Sequence, residues 1–339
     1  SANDVYFVGP GGALLHYNGG GFDSINVLTS ATLTAIGGKS ADDLWALGAN
    51  GTVLHRSGVA AGAGAGMGWR TTESYTGSGL SAVWAASREV AWVSGNDGAL
   101  QRWDGTRFYN VPQRETTAGL LSIHAAENGS SVWAVGDRGT LLRWNGVAWE
   151  STPIDSVEAV RDVWSDGPER AWAVGNNGLL LRWDGSRWQR VDSGERTHLG
   201  ALFGVSGNDL WAAGAGGVLL HFDGMRWARS SGLPTADLND LWGRGPDDLW
   251  AVGNAGTVLH WDGQSWLPAS QGALPTQNLL TVWGTATDLY AAGSNGTLLR
   301  RDKEQWQPVA SGLPMGVNIN GMWGRSGTVR LAHLETWTG

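Results

Sequence analysis

The sequence predicts an all-β protein: an eight-bladed β-propeller of four-stranded antiparallel blades. Three observations lead there. A phrase close to DLWAVG recurs eight times. Each copy sits in a unit of about 40 residues that holds four short β-type runs. No stretch carries the apolar period of an amphipathic helix.

The phrase is centred on Tyr6, Trp45, Trp92, Trp133, Trp172, Trp211, Trp250 and Tyr290, at spacings of 39, 47, 41, 39, 39, 39 and 40 residues. The long interval contains SGVAAGAGAGMGW, Ser57 to Trp69, a small-residue run that reads as a flexible surface loop. In each unit the first run resembles LNDLWG (Leu238–Gly243), and the second is the DLWAVG phrase. A turn such as GNAG, GNNG or GSNG follows, in which Gly and Asn supply the positive φ of a tight hairpin. The third run resembles TVLHWD, and the fourth begins at the next Trp.

The runs are out of phase. The chain opens on a second strand, and its last first-strand run is INGMWG, Ile319 to Gly324. Closure is therefore expected by pairing 319–324 with the N-terminal blade, which removes two open sheet edges. This makes residues 1–324 a single propeller domain, and the opening SANDVYFVG, in mid-repeat, reads as a mature or trimmed N-terminus. The tail, 325–339, repeats a second-strand pattern that DVYFVG already supplies. It either packs outside the blades or belongs to a longer array.

Composition excludes several classes. There are 53 Gly, 22 Trp and only 5 each of Phe and Tyr in 339 residues, and glycine at fixed offsets signals turns. The net charge of −8, without a basic stripe, opposes a nucleic-acid partner. With no cysteine there is no disulfide, thiol nucleophile or cysteine metal site. No apolar run reaches the length of a transmembrane helix. Two lysines stand against 21 arginines, and with abundant Ala and Gly this suggests a GC-rich bacterial source.

The turn WDGQSW recurs as WDGTRF, WNGVAW, WDGSRW and FDGMRW, centred on Asp262, Asp104, Asn145, Asp184 and Asp223. A side-chain oxygen before glycine accepts backbone N–H groups two or three residues on. Evenly repeated copies mark structural turns, not catalysts. These turns resemble a one-residue-shorter Asp-box, S-x-D-x-G-x-x-W, of sialidase, sortilin-like and photosystem II assembly-factor propellers. The resemblance implies a box joining the third and fourth strands. A sialidase's arginine triad and Tyr/Glu pair find no matching positions here.

His16, His55, His221 and His260 share one third-strand register, held by Arg102, Arg143, Arg182 and Arg300 in the other units. That position reads as a polar, partly exposed blade edge where an N–H donor meets a carbonyl or carboxylate. A shared metal is not expected, and His124 reads as packed. The acidic pairs Asp42–Asp43 and Asp247–Asp248 lack calcium-loop spacing and read as solvated loop ends. The N-x-S/T matches at Asn50, Asn128 and Asn295 read as turn chemistry. Tryptophans fall into strand registers and read as inter-blade core. The alternative is one exposed register, third- or fourth-strand, that stacks on sugars.

Recognition is expected in the long, dissimilar fourth-to-first loops. Their most reactive-looking residues are Arg114, Glu115, Glu195, Arg196 and His198. The expected function is a non-enzymatic scaffold without cofactor, extracytoplasmic (periplasmic, outer-surface or secreted) and bacterial, that binds a protein partner. A lectin-like propeller with repeated glycan sites is the alternative. An enzyme requires a concentrated set of acid, base and arginine, and none stands out.

Overall fold

DLWAVG becomes the second strand of each blade because both of its faces are covered. In Asp248–Gly253, Leu249, Trp250, Ala251 and Val252 are all buried. A continuous apolar run marks a strand covered on both sides. Burial falls outward across the blade, and in the outer strand Trp266–Pro268 only the Trp is buried.

The computed structural model describes residues 4–58, 68–110, 116–126, 129, 131–269, 274–314 and 316–324. They form eight four-stranded antiparallel sheets, an eight-bladed β-propeller. Blade 1 pairs Phe22–Ser24, Leu14–Tyr17 and Val5–Val8 with Gly321–Gly324. Blade 2 runs Leu33–Ser40, Asp43–Gly48, Val53–Ser57 and Trp69–Thr71, and blade 3 runs Leu80–Ser87, Val90–Gly95, Leu100–Trp103 and Phe108–Asn110. Blade 4 is Leu120–Ala125, Val132–Gly136, Leu141–Trp144 and Trp149–Ser151, and blade 5 is Val160–Gly167, Arg170–Gly175, Leu180–Trp183 and Trp188–Arg190. Blade 6 is Leu199–Ser206, Asp209–Gly214, Leu219–Phe222 and Trp227–Arg229, and blade 7 is Leu238–Gly245, Asp248–Gly253, Val258–Trp261 and Trp266–Pro268. Blade 8 is Leu279–Gly284, Leu289–Gly293, Leu298–Asp302 and Gln305–Pro308.

The expected closure is present. Val5 opposes Gly324, Tyr6 opposes Trp323, and Val8 opposes Gly321. The tail 325–339 lies outside the described residues. Contacts divide the chain into two compact units. One takes in the described residues of Ser1–Val93, Gln101–Tyr109 and Ser270–Gly339, the other those of Ser94–Leu100 and Asn110–Ala269.

Within each unit, aromatic rings fill the seams between blades. In the second unit Trp133 of blade 4 meets Trp183 and Trp188 of blade 5, with centroids 4.9 and 5.0 Å apart. Trp172 meets Phe222 and Trp227, and Trp211 meets Trp261 and Trp266, in the same way. In the first unit Trp45 meets Trp103 and Phe108, and Tyr290 meets Tyr17. The seam of blades 4 and 5 gathers Trp133, Val135, Val163, Leu181, Trp183 and Trp188 into one buried cluster. Burying a Trp contributes up to about 4–6 kcal/mol by area, and an aromatic pair adds about 0.5–1.5 kcal/mol.

First strands are tied by polar side chains. Most carry a bulge after the leading residue, as between Leu33 and Ala35 or Val160 and Asp162. Thr34 Oγ1 donates to Leu80 O of the next blade at 2.6 Å, and Asn320 Nδ2 donates to Leu33 O at 3.1 Å. Asp162 accepts from Ser122 Oγ of blade 4 at 2.8 Å and from Leu202 N of blade 6 at 2.9 Å.

The hairpins joining second and third strands are type I′ turns. In Ala49–Thr52, Asn50 has φ 56° and Gly51 φ 66°, and Thr52 N–H donates to Ala49 O. The turn is as short as the sequence predicted. Ala255 holds the Asn50 position in blade 7 at φ 53° and is exposed. An L-residue other than Asn, Asp or Gly adopts this conformation at a cost of about 1–2 kcal/mol.

Two outcomes follow for unfolding in urea. Trp133→Ala should lower stability by about 3–5 kcal/mol; a loss below about 1 kcal/mol would contradict a seam held by these rings. Ala255→Asn should raise stability by about 1 kcal/mol, since Asn tolerates the left-handed region. No gain would show that the turn carries no strain at this position.

Candidate functional site

Each fourth-to-first loop is pinned to the hairpin of a blade by its backbone. Four residues before the first strand, a carbonyl rests on the hairpin's second glycine. Thr76 O does so on Gly51, Ser156 O on Gly139, Glu195 O on Gly178, and Pro234 O on Gly217. A Cβ at any of these glycines would collide with that oxygen. One residue before the strand, a second carbonyl accepts from the hairpin of the following blade. Asn176 N–H donates to Ala159 O, Ala215 N–H to His198 O, and Asn254 N–H to Asp237 O, each at 2.9–3.0 Å. Several loops add a serine: Ser74, Ser193 and Ser311 donate to the carbonyls of Gly51, Gly178 and Gly296. The backbone is thus constant while the intervening side chains differ.

The candidate residues take different places on this frame. Glu195 N–H donates to Ser193 Oγ, and its carboxylate accepts from Arg229 Nη1 at 3.0 and 3.1 Å. Arg229 lies on the outer strand of blade 6. Arg196 is exposed, and His198 is half-buried, its carbonyl bound to the hairpin. The ion pair of Glu195 is with Arg229, not with Arg196. Arg114 and Glu115 lie outside the described residues.

The third- to fourth-strand turns have the predicted geometry. Asp184 Oδ1 accepts from Ser186 N–H and Arg187 N–H at 2.9 Å each, and Gly185 has φ 97°. Asp104, Asp223, Asp262 and Asn145 accept two backbone N–H groups in the same way. The backbone N–H of Arg187, then the Ser186 hydroxyl and N–H, hold the Asp184 carboxyl at about 2. The Thr106 hydroxyl, then the N–H groups of Arg107 and Thr106, do the same for Asp104, also about 2.

The acidic pairs differ from expectation. Asp43 and Asp248 are not solvated loop ends. Asp43 is buried and sits 3.1 Å from His55 Nε2, and Asp248 Oδ1 lies 2.8 Å from His260 Nε2. Burial alone would raise Asp248, but hydrogen bonds from His260, Arg244 and Trp250 hold it down to about 2. Asp4 and Asp209 pair with His16 and His221, and Asp288 pairs with Arg300. In every case the partners are 12 residues apart, because the hairpin brings the start of the second strand beside the end of the third. That spacing was the unread signal. The third-strand position is also more enclosed than a partly exposed edge at His16 and His55, which are both buried. Each such His stacks on the aromatic opposite it, His55 on Trp45 with centroids 3.5 Å apart.

His124 is half-buried, with Nδ1 accepting Ser165 N–H. Of 21 tryptophans among the described residues 18 are buried and none is exposed, so no Trp register offers a sugar an open platform. Among the described residues, no group of three or more His, Asp or Glu is placed to hold a metal. No helix there is long and apolar enough to cross a membrane. The loop reading also missed three exposed apolar side chains, Leu28, Tyr75 and Val157. A tyrosine after Ser74, where Ser193 and Ser311 are followed by glycine, was the legible sign of Tyr75.

No family model matches the chain, and no curated protein matches it. Among solved structures it is similar to YCF48 bound to a D1 peptide, at 18% identity and a TM-score of 0.58, over 77% of this chain and 90% of that one. It is similar to the computationally designed protein Ika8 at 14% identity and a TM-score of 0.70, over 90% and 96% of the two chains. The WD40 repeats of RRP9 align at 9% identity and a TM-score of 0.60, over 79% and 89%. At these identities the likeness is one of fold, a β-propeller repeat protein.

The Asp184 turn predicts a pH dependence. Its carboxyl lies below the usual 3.8 in the folded chain, so its contribution is present above about 4 and is lost as pH falls toward about 2. Asn145 makes the same backbone bonds without titrating. Relative to wild type, Asp184→Asn should therefore become progressively more stable between pH 4 and 2 in urea unfolding. Parallel pH profiles for the two proteins would refute the assignment.

Proposed function

We propose that the chain is a non-enzymatic interaction propeller that binds a protein partner through its fourth-to-first loops, with the Asp/Asn–Gly turns acting as shortened Asp-boxes. We place it in a bacterium and outside the cytoplasm, in the periplasm, on the outer surface or secreted. One observation carries the reading. The loops share a backbone frame pinned by the same two carbonyls, while their outward residues differ from blade to blade. Constant scaffolding beneath variable side chains is the arrangement of a recognition surface. A protein of like fold, YCF48, is known bound to a D1 peptide, which supports a peptide or protein as ligand. Glu195, Arg196 and His198 are the blade 6 contribution, with Arg196 the exposed charge of the three.

Capture of partner from the parent cell, followed by binding measurements on the identified protein, tests this. Arg196→Glu should weaken binding by about tenfold or more and leave unfolding unchanged, since a surface charge reversal opposes a complementary partner. Binding that ignores all loop substitutions, yet is lost with changes in the Asp/Asn–Gly turns at Val147 and Met225, would reverse the choice of surface. Fractionation of the parent cell checks the location; recovery in the cytoplasmic fraction alone would refute it.

A further inference from the structure

In the first unit a cavity of about 620 Å³ opens beside the hairpin of blade 2. Its walls are Leu28 and Thr29, the turn residues Asn50 to Val53, and the loop from Thr71 to Gly77. The volume falls in the range of about 300–1,000 Å³ that ligand sites occupy. Two of its lining residues are large, apolar and uncovered: Leu28 is 93% exposed and Tyr75 59%. Val147 and Met225, also exposed, sit at the tips of Asp/Asn–Gly turns instead, Leu267 sits on an outer strand, and Val157 sits on the loop between blades 4 and 5.

Tyr75 carries a further mark. Its φ is 51°, in the left-handed region. The sibling loops make the same serine bond to the hairpin, and the next residue takes the same conformation, but there it is glycine: Gly194 at φ 71° and Gly312 at 72°. A bulky L-residue in this region is strained by about 1–2 kcal/mol. Inside the fold the ring recovers little of that by burial, since more than half of it stays in water. An aromatic that strains the backbone and remains exposed points to contact with something outside the chain.

The chemistry of the walls selects the ligand. Glu73 is the one charged side chain lining the cavity, and it is exposed. An anionic ligand finds no cation there. The threonine hydroxyls and the Asn50 amide can bond a main chain. A bare aliphatic beside an aromatic suits an apolar side chain better than a hydroxyl-covered sugar ring. We infer that this cavity binds an extended peptide segment of a partner protein, with an apolar side chain seated between Leu28 and Tyr75 and a neighbouring Lys or Arg paired with Glu73. The inference rests on the protein-binding reading above and names one site and one motif for it.

The test pans a random peptide library on the full chain, then measures synthetic copies of the selected peptides. Selected peptides should combine an apolar residue with a nearby Lys or Arg. Tyr75→Gly should weaken them by about tenfold or more, as loss of a central aromatic anchor does. The same variant should leave the unfolding midpoint unchanged or higher, because glycine relieves the strained φ. Glu73→Gln should weaken binding and flatten its dependence on salt. Peptides that bind equally to wild type and Tyr75→Gly would overturn the proposal. So would selection of acidic peptides, or a glycan-array hit lost on Tyr75→Gly. If the peptide site fails while Arg196→Glu still releases a captured partner, this inference alone falls and the loop-surface reading stands.

Discussion

The structure depends on the packing of aromatic rings across the seams between neighbouring blades. A four-residue or three-residue strand has too little surface to hold a sheet in place, and a lone blade leaves both faces bare. Four seams answer this with one arrangement. The second-strand Trp45, Trp133, Trp172 or Trp211 of one blade meets two aromatics of the next, from the third and fourth strands, whereas Tyr6 of blade 1 meets Trp69 and the Arg56 guanidinium of blade 2. The rings lie edge-on or tilted at centroid distances of 4.8–5.3 Å at Trp133 and Trp211, which is the favourable geometry for quadrupoles. Widely splayed sheets need broad, flat fillers, and this explains why Trp outnumbers Phe and Tyr together.

The same ring explains the His/Arg register. The third-strand residue directly opposite the second-strand aromatic must cover its face. Imidazole does so by stacking: 4.0 Å for His221 on Trp211 and 4.0 Å for His260 on Trp250. Guanidinium does so as a cation over the ring, 5.5 Å for Arg143 over Trp133 and 5.7 Å for Arg182 over Trp172. A histidine at this place needs its Nε2 satisfied, and each of the four has an aspartate 12 residues earlier to do it. Arginine tolerates other partners: Arg143 Nε reaches Ser131 Oγ at 3.3 Å and its Nη2 reaches Pro168 O of the next blade at 3.0 Å. The pairing of residue types within one chain thus follows from hydrogen-bond supply under a stacked ring.

Most of the fold was legible because it is written locally and repeated. Strand order, the Asn–Gly hairpins, the Asp–Gly turns and the closing of Val5–Val8 on Gly321–Gly324 each follow from a short phrase and its offset. What was not legible depends on partners brought together by folding. Asp43 and Asp248 looked like loop ends because each follows another aspartate, and their placement, buried for Asp43 and half-buried for Asp248, is set by a histidine across the hairpin. Glu195 looked reactive in the sequence, whereas its carboxylate is spoken for by Arg229, 34 residues on. Tyr75 escaped notice because its backbone angle, not its chemistry, sets it apart.

A repeat protein carries its own control, since each blade shows what the scaffold requires at a position. Where blades agree, as in the glycine under the loop carbonyl at Gly12, Gly51, Gly98, Gly139, Gly178 and Gly217, a collision explains the agreement and no function need be sought. Where blades alternate between two solutions, as with His and Arg, one packing problem explains both. Function is to be sought in the remaining class, where one blade departs from its siblings and gains nothing internal by it. Arg196 stands exposed on a loop whose backbone is otherwise shared. Tyr75 goes further, taking a conformation its siblings reserve for glycine while its ring stays largely in solvent. Scaffold physics accounts for the serine before it and the carbonyl after it, and leaves only the ring itself without a structural reason.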